Sequence, residues 1–391
     1  MKYNFDSTLN HRVNASYRWG MEGMPEDVIG MGTADLDYGC APCIRKALVP
    51  IAEENCYNYR QHTQEYYDAV TGWYQKKYGL TVCKEWISNV PSTIGAIRIA
   101  LGILTKPDNT VIVQTPVFEP VVRAIEGADC RMIENPLKAN NRRYEIDFED
   151  FEAKIREYKP SVYLIVNPHN PTGKVFTKEE LERLVKICME NNVKIVSDEV
   201  HCLVLYEERK HIPILAVNDY AKKCSIQIVS MSKGFNIMGL PHAIITIPDP
   251  NIRESWNRQI AAYSFGYAVN SFAIAAVTTI MKGEADDWME EMTAYLYNNM
   301  KEIFEFIEKN NLPLIPYKPE GSFLIWIDCR QAGIGTDHLD RYFLDKAHID
   351  LDDGEKNFGS EGAGFIRINF AVTNKTLKEA LKRMKNCFDR I

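Results

Sequence analysis

Four short apolar runs in the middle of the chain alternate with segments of helical periodicity. They cover residues 110–114, 161–166, 193–197 and 225–230, each the length of a buried strand. Between the second and third, apolar Leu181, Leu184, Val185 and Cys188 fall on one stripe of a helix. Thr177 opens that helix, and Glu180 three residues on completes a capping box. Strand, helix, strand in this order predicts an α/β sheet. Ligands of open α/β sheets gather beyond the carboxyl ends of the strands. Each run here is followed at once by a chemically loaded residue: Phe118, Asn170, Asp198 and Lys233. The pattern predicts that these four converge.

The C-terminal portion has a different texture. Residues 284–311 form a long helical pattern with apolar Trp288, Met292, Leu296, Ile303, Phe304 and Ile307. Strand patterns follow at 322–327 and 364–370, then a last helix from about Asn374. The mixture predicts a smaller α+β domain made of residues 1–45 and 281–391, beside a large domain of residues 46–280.

With 391 residues, the chain can bury two substantial cores. A net charge of −7 leaves no footprint for nucleic acid or an anionic membrane. No apolar stretch reaches the ~18 residues of a membrane span, and the N-terminus lacks a signal-peptide core. The expected compartment is the cytoplasm. Ten cysteines are scattered from Cys40 to Cys387, which predicts reduced thiols rather than a disulfide scaffold. Cys40-Ala-Pro-Cys43 has the spacing of a redox dithiol or half a zinc site, but no second such pair exists. A helix beginning there can lower a thiol pKa; the plainer reading is two structural thiols at a helix start. No metal site is expected.

Lys233 stands in Ser230-Met-Ser232-Lys233-Gly-Phe-Asn, directly after the fourth run. A lysine between serines, an acid ending an earlier strand and an Asn-Pro-rich loop are the parts that hold pyridoxal phosphate (PLP). The lysine forms a Schiff base, the acid keeps the pyridine nitrogen protonated, and the serines hold phosphate. Asp198 is either an N-cap or that acid. His201 is either a satisfied core histidine or a hydrogen-bond partner of the cofactor's phenolic oxygen. Asn170 lies between prolines and is either a plain turn residue or a rigid donor to phenolate and substrate carboxylate. Phe118 is core or stacks on the pyridine face. Ser92, Thr93 and Ile94 open a helical pattern whose N–H groups suit phosphate. Arg367 is charged inside an alternating strand, and either snorkels or clamps a substrate carboxylate.

The ordered set Asn170, Asp198, His201, Lys233 and Arg367 resembles the fold-type-I PLP enzymes related to class I/II aminotransferases. Finer motifs are similar to the carbon–sulfur β-lyase branch, the MalY/PatB type of cystathionine β-lyase. They are Thr33-Ala34-Asp35-Leu36-Asp37-Tyr38, Asn167-Pro-His-Asn170-Pro, Asp198-Glu-Val-His201, Ser232-Lys233-Gly-Phe-Asn236, and Asp353-Gly354 through Phe358-Gly359 to Arg367-Ile-Asn369-Phe370. The resemblance spans nearly the whole chain. It implies a mostly parallel mixed sheet in the large domain, a small α+β domain from both chain ends, and a homodimer with sites at the subunit interface. It also implies that Tyr59 reaches the neighbouring subunit's phosphate, and that Ala34 belongs to the substrate site. Five positions depart from the branch: Gly32 for tryptophan, Leu203 for aspartate, Lys174 for arginine, Gly234 for threonine and Ser92 for glycine.

The leading expectation is β-elimination from an S-substituted L-cysteine such as cystathionine, giving a thiol, pyruvate and ammonia. An aminotransferase is the nearest rival, since Lys233, Asp198, Asn170 and Arg367 serve both reactions. A regulatory binding protein on the same fold is the third reading, and an intact Lys233 and Asp198 count against it.

Overall fold

The computed structural model describes residues 2–7, 9, 15–19, 24–267 and 269–388. Seven strands form the main sheet: β1 (Ile87–Val90), β2 (Thr110–Thr115), β3 (Arg131–Pro136), β4 (Val162–Val166), β5 (Lys194–Asp198), β6 (Ser225–Val229) and β7 (Ala243–Thr246). Their order is β1-β7-β6-β5-β4-β2-β3. The five strands from β6 to β3 run parallel, and β7 is antiparallel to both of its neighbours. This is an α/β fold with a mainly parallel sheet.

Alternation along the strands explains why both faces are covered. Val111, Val113, Leu164, Val196 and Ile226 pack into one core with the helix Thr93–Leu104. Ile112, Tyr163, Ile165 and Ile195 point into the other, which includes Leu181, Leu184, Val185 and Cys188 of the helix Lys178–Glu190. The capping box of that helix forms: Thr177 Oγ1 accepts from Glu180 N (3.2 Å), and Glu180 Oε2 accepts from Thr177 N (2.9 Å). Register then places the site. Val166 pairs with Asp198, and Asp198 with Ile228, so β4, β5 and β6 end at one level. Asn170, Asp198 and Lys233 lie on or just past those ends.

A second, antiparallel sheet contains β8 (Ile315–Tyr317), β9 (Leu324–Asp328), β10 (Asp352–Asp353) and β11 (Phe365–Asn369), in the order β8-β9-β11-β10. The long helix Asp286–Lys309 buries Trp288, Met292, Leu296, Ile303 and Ile307, with Phe304 half-buried, and packs against the helix Asn374–Phe388. Residues near the N-terminus join this part: Ile29–Gly30 pairs in parallel with Ile349–Asp350, and Asn369 N donates to Met31 O (2.7 Å).

Candidate active site

A cavity of about 410 Å³ opens at the carboxyl ends of the central strands. Lys233, Asp198, His201, Asn170, Phe118, Thr93, Ile94, Ala34 and Arg367 all line it. A larger cavity, about 480 Å³, lies between the helices Pro42–Glu53 and Ser271–Met281 and contains none of the expected site residues. The smaller one carries the chemistry.

Lys233 is held by a loop that three polar side chains lace in place. Its Nζ donates to Ala34 O (2.6 Å). Asn236 Nδ2 donates to Leu36 O (2.9 Å) and Tyr38 O (2.8 Å), while Asn369 Nδ2 donates to Thr33 O (2.6 Å) and Asp35 O (2.7 Å). Arg18, fully buried, donates to Asp35 Oδ1 (2.9 Å) and Gly30 O (2.7 Å). Buried carbonyls need such donors, so motifs far apart in sequence meet at this loop. Burial first, then the Arg367 charge, lowers the Lys233 pKa to about 8, against the pull of Asp35 and Asp198.

Asp198 ends β5, buried, with Oδ1 accepting from Val200 N (3.1 Å). Burial pushes its pKa up to about 6; the Val200 N–H opposes this, Glu199 adds to it and Lys233 opposes it. His201 is both things at once, a buried histidine with a partner and a cavity wall. Its Nδ1 lies 3.0 Å from Ser322 Oγ. Burial, Lys233 and Arg367 lower its pKa to about 3, so the imidazole is neutral.

Arg367 does not snorkel. It is 2% exposed and points into the cavity, with its guanidinium 5.4 Å from the Phe118 ring centre and 5.0 Å from that of Phe358. Nη1 donates to Asn170 Oδ1 (2.9 Å), Nη2 donates to Gly32 O (3.2 Å) and pairs with Asp352 Oδ2, and among the described residues buried Nε has no partner. A planar cation in the cavity wall suits a carboxylate.

Four expected residues stand apart from the lining. Ser92 Oγ caps the helix Thr93–Leu104 by accepting from Gly95 N (3.2 Å), which leaves Thr93 and Ile94 at the cavity. Ser230 Oγ donates to His242 O (2.8 Å) and lies 3.0 Å from Ser232 Oγ. Tyr59 is 84% exposed.

The sequence matches the family described as aminotransferase class I and II over residues 26–384. The chain belongs to that family. It is 31% identical over 385 residues to cystathionine beta-lyase PatB of Bacillus subtilis, covering 98% of this chain and 99% of that protein. It is 26% identical to an aspartate aminotransferase of Pyrococcus horikoshii, covering 93% of this chain and 91% of that one. Among solved structures, the PLP-bound C-S lyase from Staphylococcus hominis superposes with a TM-score of 0.91 at 30% identity, covering 99% and 98% of the two chains.

Two of the departures, Leu203 and Gly234, pack against each other. A Cβ on Gly234 would lie 2.6 Å from Leu203 Cδ1 and 2.7 Å from Met289 Cε. Glycine at 234 thus leaves the space that Leu203 and Met289 fill. Lys174 is buried and pairs with Glu180 (2.7 Å). The lowered thiol pKa considered for Cys40 and Cys43 is overturned: both are free thiols, and burial raises both pKa values. Among the described residues, no group of three His, Cys, Asp or Glu side chains is placed to hold a metal, and no helix is long and apolar enough to cross a membrane.

Sequence reasoning missed Asp352, Tyr17 and Asn357, which also line the cavity. For Asp352 the sequence holds only a partial signal. An arginine inside a strand needs a counter-charge, and acids alternate at Asp350 and Asp352, but Asp352 is 15 residues upstream of Arg367, so only the strand register joins them.

Proposed function

We propose that this chain is a PLP-dependent carbon–sulfur β-lyase acting on S-substituted L-cysteines such as cystathionine. The observation that carries the reading is the meeting of Lys233, Asp198 and the Arg367–Asn170 pair around one cavity, in a chain with lyase relatives over nearly its whole length. The residues fit the cofactor: Asp198 is buried with its pKa raised by burial, Lys233 lines the same cavity, and among the described residues the buried Arg367 Nε has no hydrogen-bond partner.

When bound, PLP supplies the electron sink that makes the substrate's Cα–H acidic. The chain supplies the rest. Lys233 would be the covalent anchor and, freed by the incoming amine, would take the α-proton; a pKa of about 8 suits that task near neutrality. Asp198 would hold the ring nitrogen's positive charge. Neutral His201 and Asn170 would serve the phenolic oxygen, Phe118 would pack on the ring, and the N–H groups at Thr93 and Ile94 would serve the phosphate, with Ser92, Ser230 and Ser232 beside the lining as its further candidates. Arg367 and Asn170 hold the α-carboxylate while Ala34 positions Lys233. Loss of the β-thiolate and addition of one water give thiol, pyruvate and ammonium.

The same proposal includes a homodimer with Tyr59 completing the neighbour's phosphate site, a division into residues 46–280 and the combined ends 1–45 and 281–391, and residence in the cytoplasm. Wide exposure of Tyr59 supports the first, and the pairing of Ile29–Gly30 with Ile349–Asp350 supports the second. Transamination is the second reading, favoured by the aspartate aminotransferase among the relatives. Borohydride reduction of the loaded protein, followed by peptide mapping, tests the anchor: label on Lys233 is expected, and label elsewhere refutes it. Offering an S-substituted cysteine with and without a 2-oxo acid separates the two reactions. Product release independent of the oxo acid is expected, and dependence on it makes the chain an aminotransferase.

A further inference from the structure

Arg367 does not face its cavity as a lone cation. Asp352 is its cross-strand partner in register between β10 and β11, and Asp352 Oδ2 pairs with Arg367 Nη2. Asp352 is part of the cavity wall and remains 18% exposed at its side chain. Only Oδ2 is engaged; among the described residues Oδ1 has no hydrogen-bond partner. That oxygen lies on the bare side of Gly32, 3.4 Å from where a Cβ would stand, with Asp350 Oδ2 3.6 Å from the same point. A side chain at 32 would sit against both carboxylates. Glycine leaves them uncovered.

The charge count has a consequence for the substrate. Arg367 and Asp352 cancel and Asp350 stands on the negative side, so an amino acid whose α-carboxylate docks on Arg367 leaves this end of the cavity net negative. A cation on the distal side of the sulfur offsets that charge, and a distal anion adds to it. At partly buried separations of a few ångströms each unit of charge is worth several-fold to a hundredfold in affinity. We infer that Asp352 is a specificity-determining residue that selects S-substituted cysteines with a cationic group beyond the sulfur. The inference rests on the reading of Arg367 as the α-carboxylate holder and deepens the proposed function.

The test uses the PLP-loaded protein and its Asp352→Asn variant. Values of kcat/KM are measured for S-(2-aminoethyl)-L-cysteine, S-propyl-L-cysteine and S-(carboxymethyl)-L-cysteine, which carry a distal cation, no charge and an anion. In parallel, the Kd values of L-lysine, L-norleucine and L-2-aminoadipate are read from the change in cofactor absorbance. These amino acids have no leaving group, so the binding series reports on Asp352 even if elimination does not occur. The wild type is expected to prefer the cationic over the anionic member of each series by about tenfold or more. The variant should bring both ratios close to one. An unchanged ratio overturns the inference. So does an equal loss on all members, which would make Asp352 only a support for Arg367. If the binding preference is present and lost in Asp352→Asn while no substrate releases pyruvate, the selectivity stands and the lyase reading falls.

Discussion

Replacing Asp198 by asparagine should stabilise the cofactor-free protein while destroying its function. The carboxylate is buried, and its pKa rises from 3.8 to about 6. Roughly two units at 1.36 kcal/mol each give about 3 kcal/mol. The sign follows from the direction of the shift. Below about pH 4 the acid is protonated in both the folded and unfolded chains, and its burial costs little. Between about pH 4 and 6 the unfolded chain ionises first, so the folded state progressively loses stability relative to it. Above about pH 6 the full penalty is present. Asparagine keeps an acceptor for Val200 N, which now donates to Asp198 Oδ1, and cannot ionise. Urea unfolding of wild type and Asp198→Asn, followed by tryptophan fluorescence from about pH 4 to 8, reads the difference directly. The variant should gain about 3 kcal/mol on the wild type across that window. Loading with PLP should shrink or reverse the gain, because a positive ring nitrogen compensates the wild-type carboxylate alone. Profiles that stay parallel from about pH 4 to 6 in the cofactor-free proteins would refute the reasoning.

Two further perturbations probe how the site is held. Gly234→Ala drives a Cβ to within 2.6 Å of Leu203 Cδ1 and should cost about 1–3 kcal/mol by urea unfolding. Adding Leu203→Ala should recover part of that loss; strictly additive costs would show that the two residues are not coupled. Asn369→Ala strands the Thr33 and Asp35 carbonyls and the Ala371 N–H and should cost about 3 kcal/mol or more. It should also reduce kcat, since the loosened loop carries the Ala34 carbonyl that orients Lys233. A full kcat in that variant would separate the loop from the chemistry.

Much of this architecture was legible because it follows from periodicity. The four apolar runs became β2, β4, β5 and β6 to within a residue or two at each end, and the Thr177–Glu180 capping box marked a helix start that the fold keeps. Strand ends brought to one level explain why Phe118, Asn170, Asp198 and Lys233 could be expected to meet. What stayed hidden depends on pairing across long sequence separations. Asp352 faces Arg367 only through the β10–β11 register, and Asn236 and Asn369 reach the loop at 33–38 from about 200 and 330 residues away. Ser92, Ser230 and Ser232 also carry local duties that no single segment reveals, since their hydroxyls satisfy a helix end, a carbonyl and one another. Cys40 and Cys43 are the structural thiols that the plainer reading expected, and the alternative of a lowered pKa falls because burial by distant packing outweighs proximity to a helix start.

The central claim is elimination at a carbon–sulfur bond, and one incubation tests it most directly. PLP-loaded protein is mixed with L-cystathionine, and pyruvate and free thiol are followed together. The account predicts that the two appear in equal amounts and that both are lost in Lys233→Ala. Absence of pyruvate and thiol, with conversion of the cofactor to its amine form and recovery on adding a 2-oxo acid, would contradict it.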